Sequence, residues 1–256
     1  MNNTRRDFVA EVTFTRDNDC LPVLENLRSL LSDQISERDT LRLMAVPMLY
    51  SVWERCFSLW TSICLKIIRD NHIRAADCPP QLRAYWLRKA GFFKSFIDTI
   101  RDVVELERED SVFNQTSGLS KKITKGGFHL SAKVLRELDT WHQQPFSAKL
   151  DVKELVLTYS NVNDAVVAVN AEALGLVNMD AYSKLDLSRL GGLVGLRNGI
   201  GHGAMLNPPG EKELEELLAY TESLVQQYAD VILEWVNAHA ASDPDDGSSV
   251  GIAYSS

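Results

Sequence analysis

Arg197, Asn198 and His202 fall within a span of six residues, in the stretch Leu193-Val194-Gly195-Leu196-Arg197-Asn198-Gly199-Ile200-Gly201-His202-Gly203. A guanidinium can hold a phosphate through two parallel hydrogen bonds and stabilise the charge that builds on a pentacovalent phosphorus. An imidazole can move protons near neutral pH. On a helix Asn198 and His202 share a face, whereas Arg197 lies about 100° round the cylinder and must reach over with its long side chain. Gly203, followed by Pro208 and Pro209, reads as the helix stop. His202 then sits in the last turn, where the carbonyl ends favour a cation and a general acid is well placed. Together these are parts for metal-free RNA cleavage, in which the ribose 2′-hydroxyl attacks its own phosphate and no cofactor is needed. The competing reading is structural: a helix-end histidine and an arginine that hydrogen-bond neighbouring loops. Arg136 and His142 fit a looser form of the same spacing, but Glu137 follows that arginine and the surrounding pattern is an ordinary amphipathic helix.

The glycines of this stretch demand their own explanation. Gly191, Gly192, Gly195, Gly199, Gly201 and Gly203 put six of the chain's 14 glycines into a run of 13 residues. Each one inside a helix costs about 1 kcal/mol relative to alanine. Gly191, Gly195, Gly199 and Gly203 are spaced by four, so on a helix they form a ridge without side chains that admits another backbone closely. The four-residue period favours a helix as the partner, from the same chain or from a second copy, over a ligand backbone. Leu193, Leu196 and Ile200 would anchor the opposite, buried side.

The elements that must position this helix read as predominantly helical. Phe8, Ala10, Val12 and Phe14 alternate with mostly polar neighbours, which predicts a short N-terminal strand or extended arm. Helical patterns follow over 19–37 with Asp19 as a cap, over 38–71 with a bend near Pro47, and over 81–107, 131–142, 152–174, 184–202 and 211–241. Residues 43–68 are apolar, but Glu54, Arg55 and Lys66 interrupt them, so a buried core helix is expected, not a membrane span. Long helices joined by irregular connections imply an all-α bundle. The expected divisions are 1–37 as arm and leading helix, 38–241 as the helical domain, and 242–256 as a flexible tail containing Asp243-Pro244-Asp245-Asp246-Gly247.

The Arg197-Asn198-x-x-x-His202 set, with its Leu-Val-x-Leu lead-in and Gly203 directly after the histidine, resembles the HEPN (higher eukaryotes and prokaryotes nucleotide-binding) ribonuclease motif. Leu49-Tyr50-Ser51-Val52-Trp53-Glu54 resembles the first-helix signature of bacterial HEPN proteins of the RNase-toxin groups, where an aromatic pair precedes an acidic residue. Ser160-Asn161-Val162-Asn163 through Leu174-Gly175-Leu176 is similar to the helix that precedes the Arg-Asn helix there. The likeness covers about residues 38 to 240. It implies a HEPN-like helical bundle and a homodimer in which both motifs line one cleft. It further implies a metal-independent endoribonuclease with Arg197 on phosphate, His202 in acid or base work and Asn198 positioning, in a toxin–antitoxin or phage-defence system, with an antitoxin or inhibitor protein as a further partner. Toxins silenced by a partner nucleotidyltransferase carry a tyrosine shortly after the histidine; Gly203-Ala204-Met205-Leu206 offers none. Glu54 lies beside the apolar stripe Val46, Tyr50, Trp53 and Phe57, where a bare carboxylate is costly to bury, so it either pairs with Arg197 as a supporting group or points to solvent.

With 256 residues, 45% of them hydrophobic, the chain can bury a substantial core. Its net charge of −8 excludes general nucleic-acid coating, so an RNA-binding role needs positive charge concentrated locally. Lys121, Lys122 and Lys125, with Phe128 among them to stack on a base, form the clearest such segment, continuing to Lys133 and Arg136; a solvated basic loop is the alternative. Cys20, Cys56, Cys64 and Cys78 show neither CxxC pairs nor histidines at ligand spacing, so no metal site is expected. The start Met1-Asn2-Asn3-Thr4-Arg5-Arg6 is not a signal peptide, and a reducing cytoplasm is the expected location. A non-enzymatic dimeric module holding a protein partner or a nucleotide is the competing function. A helical adaptor is a third, without a helix-turn-helix signature to support it.

Overall fold

The computed structural model describes residues 5–33, 38–80, 82–84, 101, 132, 135–136, 138–145, 156, 158, 161–204 and 207–240. By its internal contacts the chain divides into two compact units, one of Met1–Asn71 with Asp151–Ser256 and one of His72–Leu150. In the smaller unit the described residues include helical stretches at 82–84 and 138–143, a short 3-10 turn, Ala75–Asp77, and an isolated antiparallel bridge between Arg74 and Pro145. The basic segment around Lys121, Lys122, Lys125 and Phe128 falls outside the described residues, as do most of 81–107 and the tail 242–256.

The larger unit is an all-α bundle. Its helices are α1 (Arg5–Phe14), α2 (Leu21–Asp33), α3 (Arg38–Asp70), α4 (Asp164–Leu174), α5 (Leu190–Gly201) and α6 (Glu211–His239). Among the described residues no strand forms, and the expected N-terminal extended arm is instead α1. The alternation that suggested a strand contains its own helical pair. Phe8 and Val12 are buried one turn apart, while Phe14 is 62% exposed. A π-helical turn, Thr15–Cys20, joins α1 to α2. Asp19 belongs to that turn, not to a helix cap, and pairs with Arg55 at 2.9 Å. The turn keeps the apolar stripe facing inward: Phe8, Val12 and Thr15 are buried, then Cys20 after one wide step, then Leu24 and Leu27.

The centre of the bundle is the pairing of α3 with α6, against which α1, α2 and α5 pack. α3 runs 33 residues and continues through Pro47, where the Ser51 hydroxyl donates to the Pro47 carbonyl at 2.8 Å. α6 begins after Pro208-Pro209-Gly210 with Glu211 and Glu213 in its first turn, the charge sign that a helix N-terminus favours. Between the two long helices Trp53, Phe57, Trp60 and Tyr228 form a ring cluster with centroid distances of 5.4 to 6.1 Å. The Tyr228 hydroxyl shares a 2.7 Å hydrogen bond with Thr61, and burial pushes that phenol far up from its ordinary pKa. Among the described residues no helix is long and apolar enough to cross a membrane.

α4 starts later than the apolar pattern over 152–174 suggests. Asn163 caps it, its side-chain oxygen accepting from the Val166 N–H at 3.0 Å, so the preceding segment leaves the helix axis. At its other end Gly175 takes the left-handed conformation (φ 72°), and the Trp235 indole of α6 donates to the Leu174 carbonyl at 2.9 Å. The pattern over 184–202 likewise divides into a 3-10 turn, Asp180–Lys184, and α5.

Candidate functional site: a braced arginine on α5

Three segments of the larger unit meet at Arg197. On α3, Tyr50 and Trp53 hold both backbone groups of one buried residue: the Val162 N–H donates to the Tyr50 hydroxyl at 2.7 Å, and the Trp53 indole donates to the Val162 carbonyl at 3.1 Å. Fixing Val162 fixes its neighbour Asn161. The Asn161 side-chain oxygen then accepts from Arg197 Nη1 at 3.5 Å, a long contact. The same nitrogen donates to the Asn198 side-chain oxygen at 2.9 Å. The guanidinium carbon stands 5.0 Å from the centroid of the Tyr50 ring, within cation–π range. Arg197 therefore does reach round the helix toward Asn198, and Nη1 carries both bonds. Among the described residues Nη2 and Nε have no hydrogen-bond partner, so part of the guanidinium fork is available to an anion.

Glu54 does not pair with Arg197. The two charges stand on opposite sides of the electrostatics of Tyr50. Burial raises the Tyr50 phenol above its ordinary pKa, Glu54 adds to that rise as a negative charge and hydrogen-bond partner, and Arg197 and the Val162 N–H oppose it. Arg197 goes to the two asparagines and the face of the Tyr50 ring, and Glu54 stays half-buried one turn further along α3.

His202 is the C-cap of α5. Its backbone N–H donates to the Asn198 carbonyl at 2.9 Å, and the chain then turns back through Gly203 at φ 67°. Gly203 N–H donates to the Ile200 carbonyl at 3.0 Å and Ala204 N–H to the Gly199 carbonyl at 2.9 Å. These two bonds make a Schellman closure, which needs a residue free to adopt positive φ. The imidazole of His202 is exposed and has no partner among the described residues. Leu193 is fully buried on the inner side of α5, while Leu196 and Ile200 are half-buried. A side chain built on Gly191, Gly192, Gly195 or Gly201 would meet nothing within 4 Å. At Gly191, Gly195 and Gly203 the glycine ridge thus has open space among the described residues.

Two residues that hold the guanidinium, Tyr50 and Asn161, are missed as site residues when the sequence is read for chemistry. Both stand in segments singled out for other reasons, yet their distance from Arg197 in sequence gives no signal of contact. No cluster of three or more His, Cys, Asp or Glu side chains suited to a metal ion occurs among the described residues.

A helical bundle that presents an Arg-Asn pair and a histidine from the end of one helix defines a HEPN-type architecture. The chain belongs to the RiboL-PSP-HEPN family, whose model matches residues 18–234. No curated protein and no solved structure gives a significant match.

Proposed function

We propose that this HEPN protein is a metal-independent endoribonuclease acting as a homodimer, with Arg197 gripping the scissile phosphate, His202 transferring protons and Asn198 and Asn161 orienting the guanidinium. The observation that carries the reading is the half-committed guanidinium: Nη1 is tied to Asn198 and Asn161 while Nη2 and Nε are left for an anion, beside an exposed histidine on the same helix. A clamped cation loses little freedom when it meets a phosphate, so its effect is concentrated on the charge that develops in the transition state. Cleavage by the 2′-hydroxyl needs a base to take its proton and an acid to protonate the departing 5′-oxygen. One chain supplies one histidine at this site; two chains related by a twofold axis supply both. The glycine ridge on α5, open at Gly191, Gly195 and Gly203 among the described residues, supports such a pairing, since small residues in register let a second α5 approach closely. Glu54 acts through Tyr50 as a supporting group, and Lys121, Lys122, Lys125 and Phe128 contact RNA. A toxin–antitoxin or phage-defence role in the cytoplasm, held in check by an antitoxin or inhibitor protein, completes the reading.

The test is incubation of the purified chain and its His202→Ala variant with mixed cellular RNA in chelator, with fragment ends mapped and solution mass measured. Cleavage by the parent alone, leaving 2′,3′-cyclic phosphate ends, with both proteins dimeric, is the expected result. One observation favours a second reading. The contacts of Arg197 link α3, the segment before α4 and α5, which is what a purely structural brace would do in a non-catalytic dimeric module binding a protein or nucleotide. That reading gains if neither protein cleaves RNA and both remain dimers.

A further inference from the structure

Cys20 and Cys56 are 36 positions apart in sequence, yet the Cys56 thiol donates to the Cys20 sulfur at 2.7 Å and both are buried. Cys20 closes the π-helical turn between α1 and α2; Cys56 stands on α3, just beyond Tyr50 and Trp53. We propose that these two thiols are an oxidant-responsive pair, which a small peroxide converts into a disulfide tying the π-helical turn to α3.

Three features support the assignment beyond proximity. The first is access. A groove of about 660 Å³ is lined by Cys20 together with Asn18, Asp19, Pro47, Met48 and Arg55, so this residue, although only 1% exposed, borders a space wide enough for a small peroxide. The second is polarity within the pair. The hydrogen bond from Cys56, and after it the positive charge of Arg55, hold the Cys20 thiol below its ordinary pKa against the opposing effect of burial. The Cys56 thiol is pushed the other way by the same hydrogen bond and by its own burial. Cys20 is therefore the attacking sulfur and Cys56 the resolving one. The third is position: Cys20 ends the π-helical turn between α1 and α2, a local change of helical register of the kind frequently found at functional sites. The other two cysteines lack these features. Burial raises both thiols, Cys64 far above and Cys78 to about 12, and neither has a sulfur partner among the described residues.

The chemistry balances with the peroxide as the only co-reactant. The Cys20 thiolate attacks one peroxide oxygen, an S–O bond forms and the O–O bond breaks, and the departing hydroxide takes up the proton Cys20 released to become water. Cys56 then attacks the Cys20 sulfur of the sulfenic acid. An S–S bond forms, the S–O bond breaks, and the leaving hydroxide takes the Cys56 proton as a second water. Two thiols are oxidised by two electrons and one peroxide is reduced.

The experiment treats the reduced full-length chain with hydrogen peroxide, alkylates it under denaturing conditions, and reads intact mass and the non-reducing peptide map. The expected result is a fall from the four thiols of the sequence to two, a Cys20–Cys56 peptide within one chain, and reversal by a dithiol reductant. A bridge across a 36-residue separation should also raise Tm by about 5–10 °C. Cys64→Ser should keep both effects, and Cys56→Ser should lose the bridge and leave Cys20 as its sulfenic or sulfinic acid. Four alkylated thiols after peroxide would overturn the proposal. So would a bridge mapped to Cys64 or Cys78, a bridge between chains, or a wild-type Cys20 that goes to sulfinic acid without bridging.

Discussion

Arg197 and His202 stand five positions apart near the C-terminal end of α5, and the fold treats them in opposite ways. The arginine is surrounded by packing: α3 presents the Tyr50 ring, the segment before α4 presents Asn161, and α5 itself presents Asn198. The histidine has its backbone held, by the Schellman closure at Gly203, while its exposed ring has no partner among the described residues. The difference divides the labour of the proposed reaction. Placing a charge against a phosphate rewards rigidity, because electrostatic stabilisation falls quickly with misplacement. Proton transfer between a sugar hydroxyl and a leaving oxygen can use a ring that adjusts, provided its Cα is fixed.

The largest effects should separate the two ends by stability and not by rate. Arg197→Ala is expected to lower RNA cleavage by about 10²–10³-fold and His202→Ala by about 10²–10⁴-fold. Thermal unfolding should distinguish them. Arg197→Ala removes the cation–π contact and two hydrogen bonds and is expected to cost about 1–3 kcal/mol. His202→Ala removes an exposed ring without a partner among the described residues and should stay within about 0.5 kcal/mol of the parent. Equal losses of stability would contradict the contrast between a braced end and a free one. Arg197→Lys sharpens it further: an ammonium keeps the charge but not the fork, so cleavage should remain well below the parent while much of the stability returns.

Next in size come the residues that brace the arginine at one remove. Tyr50→Phe strands the buried Val162 N–H and Trp53→Phe strands the Val162 carbonyl, each at a cost of about 1–3 kcal/mol. If Asn161 transmits the position of Val162 to the guanidinium, both variants should also reduce cleavage, by about 10-fold, without changing RNA fragment ends. Trp60→Phe is the control in the same aromatic cluster. The Trp60 indole N–H is buried without a hydrogen-bond partner among the described residues, so its removal strands no acceptor and should leave cleavage unchanged. A cleavage loss in Trp60→Phe equal to that in Trp53→Phe would mean that general core loosening, not the Val162 clamp, governs the site.

Local rules carried the reading of α6 and of the stop at Gly203, because an acidic start, a leucine stripe and a glycine before prolines are all written within a few residues. Local rules also misread the N-terminus. Alternate positions 8, 10, 12 and 14 contain the i, i+4 pair Phe8 and Val12, and only burial against α6 tells which period is in use. Arg197, Asn198 and His202 stood out by type and spacing. Tyr50 and Asn161 did not stand out as guanidinium partners, because those contacts cross 36 or more positions and depend on how the chain folds back on α5. The Cys20–Cys56 contact was hidden for the same reason, with no short spacing to announce it.

The smallest predicted effects lie on the glycine ridge itself and differ in sign. Gly195 has ordinary helical backbone and open space where a Cβ would stand, so Gly195→Ala should stabilise the isolated chain by about 0.5–1 kcal/mol. Gly203 has equally open space but φ 67°, so Gly203→Ala should destabilise by about 1–2 kcal/mol. Because the strain falls at the residue after His202, it should also loosen the histidine's backbone and reduce cleavage more than it reduces RNA binding. The ridge's proposed role adds a second measurement to the first substitution. If Gly195 meets a second α5, the larger Gly195→Leu should turn dimers into monomers in sedimentation while leaving the monomer folded, since among the described residues nothing lies within 4 Å of a Cβ at this position. A Gly195→Leu variant that remains dimeric and cleaves RNA would remove the ridge from the interface and return its glycines to an unexplained cost within α5.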